Sequence, residues 1–232
     1  MLVFWDIDGT LLTTGRAGIY AWQDALREVS GAHADLESFD TAGHPDHGIA
    51  RRLLVEHGGM PDPAVSAVRG LVERYEHHLP DALPRRVGRV LPNVREILEG
   101  LSREPGARCL LLTGNTRRGA RAKLADYRLA AFFSDGAFSD GEGDRIAIAR
   151  AALARVSRAD VAAAAGSVFV VGDTPHDVRC GQAIGARTVA VATGGYEADR
   201  LKTAGAWRTL PQLPPVAEFL AMLGDRELAT DV

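Results

Sequence analysis

Residues 1–15 read MLVFWDIDGTLLTTG, and two aspartates, Asp6 and Asp8, stand at the end of an apolar run that should be buried. Met1 to Phe4 combines β-branched and aromatic residues ahead of a Gly-Thr turn signal, the pattern of a buried strand in a parallel sheet. A carboxylate taken out of water costs several kcal/mol unless it is paired or bound to a metal. Two of them one residue apart, at the carboxyl end of a strand where open α/β sheets place their ligands, call for a cation or a reaction.

Outward from this strand, segments 16–29, 46–57 and 63–79 carry apolar residues at three- and four-residue spacings and form an all-helical block. From Leu91 onward strands and helices alternate. The pattern predicts helices over 93–103, 116–127, 144–156, 177–186, 197–205 and 216–223, with strands RCLLLT (108–113), SVFVVGD (167–173) and RTVAVAT (187–193). The Ala-rich stretch VSRADVAAAAGS (156–167) reads as a helix end and loop. Alternation of this kind implies right-handed crossovers and a mostly parallel sheet covered on both faces. The predicted fold is α/β: a Rossmann-like, doubly wound core of residues 1–14 and 89–232, with an α-helical cap of residues 15–88 inserted after the first strand.

Composition narrows the function. The 232 residues are 46% hydrophobic and 25% charged, with a formal net charge of -3, which favours small-molecule partners over nucleic acid or an anionic membrane surface. Cys109 and Cys180 have no metal-ligand spacing, and no apolar run approaches the roughly 20 residues of a membrane span, so a reducing cytoplasm is the expected location. Of the 27 basic residues only Lys123 and Lys202 are lysines. The expected assembly is a monomer or homodimer.

Four stretches bring chemistry to strand ends: Asp6 to Thr10, Thr113-Gly114-Asn115, Lys123 one helix later, and Gly172 to Asp177. In a doubly wound sheet such ends share one crevice. A carboxylate such as Asp6 can attack phosphorus, and a second one two residues on, Asp8, can protonate the leaving oxygen once Gly9 turns the chain. Clustered carboxylates around a phosphate call for Mg²⁺, an oxygen-seeking ion. Thr113 offers a hydroxyl and neighbouring amides to phosphoryl oxygens, and Lys123 a compact cation.

With these residues in place the chain resembles the haloacid dehalogenase superfamily, specifically its phosphoglycolate-phosphatase-like members with a helical cap after the first strand. Its DxDGT signature is matched by Asp6, Asp8, Gly9 and Thr10, its second motif by Thr113, its third by Lys123, and its GDxxxD motif by Gly172, Asp173 and Asp177. The resemblance implies Asp6 as nucleophile, Asp8 as general acid and base, and Thr113 and Lys123 as phosphoryl binders. Gly9, Thr10, Gly114 and Asn115 fall in the phosphate-binding loops. It also implies Mg²⁺ held by Asp6, the Asp8 carbonyl and Asp173, supported by Asp177. The substrate would be a small phosphorylated metabolite such as phosphoglycolate or a sugar phosphate.

A phosphomutase would keep the same core motifs. A phospho-receiver switch is disfavoured, because an acid-base group such as Asp8 hastens loss of the phosphoryl group that a switch must retain. Around the start of the second helix, His44, Asp46, His47, Arg51 and Arg52 form a polar cluster that could read the leaving group, with Arg51 or Arg52 facing the crevice. The stretch TGGY (193–196) ends another strand and could line the mouth of the site, although its glycines also fit an ordinary loop.

Overall fold

The computed structural model describes residues 1–141, 144–156 and 167–225. Its centre is a six-stranded, fully parallel sheet in the order β5-β4-β1-β6-β7-β8. The strands are β1 (Leu2–Trp5), β4 (Arg108–Leu112), β5 (Gly136–Ala137), β6 (Val168–Gly172), β7 (Arg187–Val191) and β8 (Arg208–Leu210). The chain order reverses at β1, which lies between β4 and β6. That switch point is where an α/β sheet opens a crevice at its carboxyl edge.

Alternation along β1 explains how the sheet is covered. Val3 and Trp5 face one side with Leu111, Phe169, Val171 and Val189. Helices α4 (Val94–Arg103) and α9 (Val216–Gly224) cover that side with Ile97, Leu98, Phe219 and Leu223. Leu2 and Phe4 face the other side with Leu110, Leu112 and Val170. There α6 (Arg145–Arg155) and α7 (Pro175–Ala183) cover the sheet through Ile148, Ala149 and Cys180. Burial on both faces is why these strands read as continuous apolar runs.

A short antiparallel ribbon, β2 (Leu12–Thr13) with β3 (Arg89–Val90), closes the base of the inserted helices α1 (Gly18–Ser30), α2 (Asp46–Glu56) and α3 (Val65–Ala82). These helices bury a separate apolar cluster that includes Leu26, Leu53, Leu71 and Leu79. Within it Trp22 and Tyr75 stack at 3.8 Å, with their planes 5° apart. The remaining helices are α5 (Arg117–Asp126) and α8 (Ala198–Thr203).

The ribbon β2–β3 and the edge strands β5 and β8 are absent from the sequence reading, because two or three residues are too few to show a period. All but the first and last residues of the Ala-rich stretch 156–167 lie outside the described residues. Cys109 and Cys180 are free thiols. Among the described residues no helix is long and apolar enough to cross a membrane.

Candidate active site

Register brings the chemistry together. Trp5 pairs with Leu111 on one side and Val171 on the other, so the residues just past these pairs emerge side by side at the carboxyl edge. They are Asp6 and Asp8 after β1, Thr113 to Asn115 after β4, and Asp173 after β6. The Asp6 amide donates to the Val171 carbonyl at 3.0 Å, which extends the ladder to the first aspartate. A cavity of about 380 Å³ opens here, lined by Asp6, Asp8, Gly9, Thr113, Lys123 and Asp173 among others.

Gly9 is the turn that the sequence implied, and it has a second role. Its φ is +80°, and a Cβ there would lie 2.4 Å from Asp173 Oδ2. A Cβ on Gly194 would lie 1.8 Å from the same oxygen. Two glycines therefore clasp Asp173, while the Thr10 hydroxyl donates to its Oδ1 at 2.9 Å. The Thr193 hydroxyl donates to the Gly9 carbonyl at 2.6 Å and ties the two loops together. The 193–195 loop thus belongs to the site instead of being an ordinary loop.

Asp6, Asp173 and Asp177 offer oxygens that all lie within 4.8 Å of one another, and all three side chains are buried. Burial pushes the Asp6 carboxyl up to about 7; Arg145 opposes this, and the charges of Asp177 and Asp8 add to it. Burial, then the charges of Asp177 and Asp6, raise Asp173 well above the usual carboxylate range. Asp177 also caps its own helix. The Thr174 amide and hydroxyl donate to Asp177 Oδ2 at 3.0 and 2.7 Å, and the Asp177 amide donates back to the Thr174 hydroxyl. The capping box and the acidic cluster are built from one residue.

Beside the acidic trio stands a residue that the sequence reading missed. Arg145, at the first position of α6 and only 5% exposed, pairs through Nη2 with Asp177 Oδ1 and approaches Asp6 Oδ1 at 3.6 Å through Nη1. Burial works against its charge, but Asp177 and Asp6 outweigh that and hold its pKa above the ordinary arginine value. Nothing in DRIAIARAALARV marks this arginine as different from those on solvated helix faces. The available signal was the alternation of the helix, which puts Arg145 on the same face as buried Ile148 and Ala149.

Lys123 and Asn115 join Asp8. Lys123 Nζ donates to Asp8 Oδ2 at 2.6 Å and to Asn115 Oδ1 at 2.7 Å, and Asn115 Nδ2 donates to Asp8 Oδ2 at 2.8 Å. Asn115 Nδ2 also reaches the Thr113 hydroxyl at 2.8 Å. Both donors thus converge on a single oxygen of Asp8, and the Asp8 side chain stands outside the acidic trio.

The polar cluster at the start of α2 divides. His44 and Asp46 line the cavity. Arg51 does not: its Nη1 donates to the Pro63 carbonyl at 3.2 Å, across the α2–α3 connection, which corrects its reading as a substrate-binding residue. Arg52 turns to Glu56 and the Asp40 carbonyl and lies over the Phe39 ring. Successive helix positions diverge by about 100°, and the face that points inward is that of Asp46 and Ile49.

The chain is similar to known proteins. The family model of haloacid dehalogenase-like hydrolases matches residues 3–182. A curated relative named probable phosphatase IndB, from Dickeya dadantii (strain 3937), is 28% identical over 205 residues, which is 88% of this chain and 86% of that protein. CbbY from Rhodobacter sphaeroides, solved with xylulose-(1,5)bisphosphate, superposes with a TM-score of 0.71 at 16% identity, covering 91% of this chain and 93% of that one. A hydrolase from Pseudomonas syringae superposes with a TM-score of 0.68 at 21% identity, covering 99% and 100%. The two structural likenesses are likenesses of fold.

Proposed function

We propose, from the premise that the chain belongs to the haloacid dehalogenase-like hydrolases, that this hydrolase is a Mg²⁺-dependent phosphomonoesterase acting through an aspartyl-phosphate on Asp6. The observation that supports this most is the meeting of Asp6, Asp8, Thr113 and Asp173 at adjoining strand ends around one cavity. The division of labour would be a core of residues 1–14 and 89–232 that carries the chemistry, with a cap of residues 15–88 over it. The reducing cytoplasm is the proposed location.

The donor set suits a hard divalent cation. The trio offers only carboxylate oxygens, and Arg145 is the one cation in contact with it among the described residues, so three carboxylates face a single guanidinium. Asp6, Asp173 and the Asp8 carbonyl would hold Mg²⁺, with Asp177 and Arg145 behind them. When bound, the ion would neutralise the carboxylates and the arriving phosphoryl group and favour their approach.

The chain's own residues would do the rest. Asp6 attacks phosphorus with a carboxylate oxygen, and the ester oxygen leaves with a proton from Asp8. Asp8, now a carboxylate, takes a proton from the water that attacks the aspartyl-phosphate, releasing phosphate and restoring Asp6. Lys123 and Asn115 hold Oδ2 of Asp8 and leave Oδ1 for the proton. Lys123 and Thr113 face the phosphoryl oxygens, where a compact cation and a hydroxyl stabilise developing charge.

The test is release of inorganic phosphate from small phosphate esters in the presence of Mg²⁺, together with acid quenching during turnover and mass analysis of the peptide containing Asp6. A phosphoryl increment on Asp6 is expected. Turnover with no such increment, under conditions where the intermediate should accumulate, would remove the covalent route.

A further inference from the structure

The wall of the cavity opposite the reacting groups comes from the inserted helices. Ile19 and Trp22 on α1, Ile49 on α2 and Tyr75 on α3 all line it, and each is buried. Trp22 and Tyr75 stack on one another within this wall. Its charged and polar groups are Asp46, His44 and Arg16, with the hydroxyls of Thr14, Thr41 and Tyr75. Asp46 accepts from the Thr116 amide. Arg16 lies at the exposed rim, where its Nη2 donates to the carbonyls of Glu37 and Phe39. Burial and then Arg52 lower the pKa of His44, which leaves its imidazole uncharged at neutral pH. Burial and the charges of Asp46 and Asp8 raise the Tyr75 hydroxyl well above 10, so it remains a donor.

Resting on the phosphomonoesterase reading, we propose that this wall selects phosphate esters of uncharged alcohols with an apolar or ring-bearing body over esters of polyols or carboxylate-bearing alcohols. The reason is desolvation. A polyol would press most of its hydroxyls against Ile19, Ile49 and the Trp22 ring, where they lose water, with more hydroxyls to satisfy than Tyr75, Thr14 and Thr41 offer. A carboxylate would have to be stripped of water against a wall whose cation sits at the rim. An apolar body instead displaces water from apolar surface, and the Tyr75 hydroxyl can still satisfy one acceptor. At about 380 Å³ the cavity is at the small end of the range for small-molecule sites, with room for a phosphoryl group and a body of about one ring.

Three esters of primary alcohols separate the possibilities: benzyl phosphate, glycerol 1-phosphate and phosphoglycolate, each assayed by phosphate release with the full chain and Mg²⁺. Benzyl phosphate is expected to show a kcat/KM roughly tenfold or more above both others. Ile49→Asn, or Ile19→Thr should the first variant not fold, is expected to narrow that ratio by placing a polar group on the wall. Hydrolysis of glycerol 1-phosphate or phosphoglycolate as fast as the benzyl ester overturns the proposal and leaves the phosphomonoesterase reading standing. Failure to hydrolyse any of the three, or any other phosphate ester, takes both down together.

Discussion

Asp46 of the helical insertion accepts a 2.7 Å hydrogen bond from the backbone amide of Thr116, the residue that caps α5 in the core. The Asp46 amide returns the contact by donating to the Gly114 carbonyl at 2.8 Å. The pair fastens the start of α2 to the loop that carries Thr113 and Asn115, so the insertion and the candidate phosphate-binding loop are held as one piece.

This latch should be sensitive to pH. Burial pushes the Asp46 carboxyl up to about 7; Lys123 and the Thr116 amide act in the opposite direction, while Asp8 and Glu76 add to it. The folded state then holds a proton that the unfolded state has released between the ordinary aspartate value of 3.8 and about 7, so this site's contribution to stability falls as pH rises through that window. Asp46→Asn keeps an acceptor for the Thr116 amide without the buried charge. It should stabilise the protein at pH 8, on the order of 4 kcal/mol, and by less at pH 5, on the order of 1–2 kcal/mol. Asp46→Ala, which leaves the amide unpaired, should destabilise at both, by about 1–3 kcal/mol. Urea unfolding at the two pH values distinguishes them, and a pH-independent effect of Asp46→Asn would contradict the account.

Arg145 offers a second test through stability. Removing its guanidinium strands Asp177 and Asp6 as buried carboxylates with their main partner gone. Arg145→Leu should cost about 3–5 kcal/mol in denaturant unfolding, as is usual when one member of a buried ion pair is deleted. A loss below about 1 kcal/mol would mean that the trio is held chiefly by the capping box and the glycine clasp.

For the metal, chelation should silence the enzyme and Mg²⁺ should restore it, with Asp173→Ala raising the Mg²⁺ concentration needed for half activity. Ca²⁺ should substitute poorly, since it takes more ligands at longer distances and would disturb the line from Asp6 to phosphorus. Full activity in excess chelator would exclude the metal role of the trio.

Asp6→Asn is expected to keep the fold and lose turnover by at least about a thousandfold, on the order of 4 kcal/mol in the barrier, because an amide is neither a competent nucleophile nor a good Mg²⁺ ligand. A folded variant that retains more than about a tenth of wild-type kcat/KM would refute the assignment.

What could be read in advance divides along physical lines. Asp6, Asp8, Gly9 and Asp173 were legible because each sits where an apolar strand ends, and a charge at such a place has few explanations. The parallel core was legible because its strands are buried on both faces. Arg145 was not, since helix spacing places it on the buried face but its chemistry depends on which carboxylates lie across from the first turn of α6, a tertiary fact. Arg51 was misread because a helix start reveals which residues are polar without revealing which way the helix is rotated. Gly194 reads either as an ordinary loop glycine or as part of the site mouth, because its significance lies in the side chain that packs against it.

Gly194 therefore carries the last test. Its φ is not in the left-handed region, so an added methyl group would act through contact alone, at 1.8 Å from Asp173 Oδ2. The Asp173 carboxylate would have to swing away, and with Gly9 also packed against it and Thr10 bonded to it at 2.9 Å, that movement would disturb its other contacts. Gly194→Ala should raise the Mg²⁺ requirement roughly 10- to 100-fold, as expected when the support of a metal ligand is disturbed. Gly195→Ala is the matched comparison, because a Cβ there meets nothing within 4 Å, and its effect should be much smaller. Circular dichroism of both variants would establish that they fold, and Mg²⁺ titration of phosphate release would read the difference. Equal Mg²⁺ requirements for the two variants would show that the clasp around Asp173 yields easily and is not what holds the carboxylate in place.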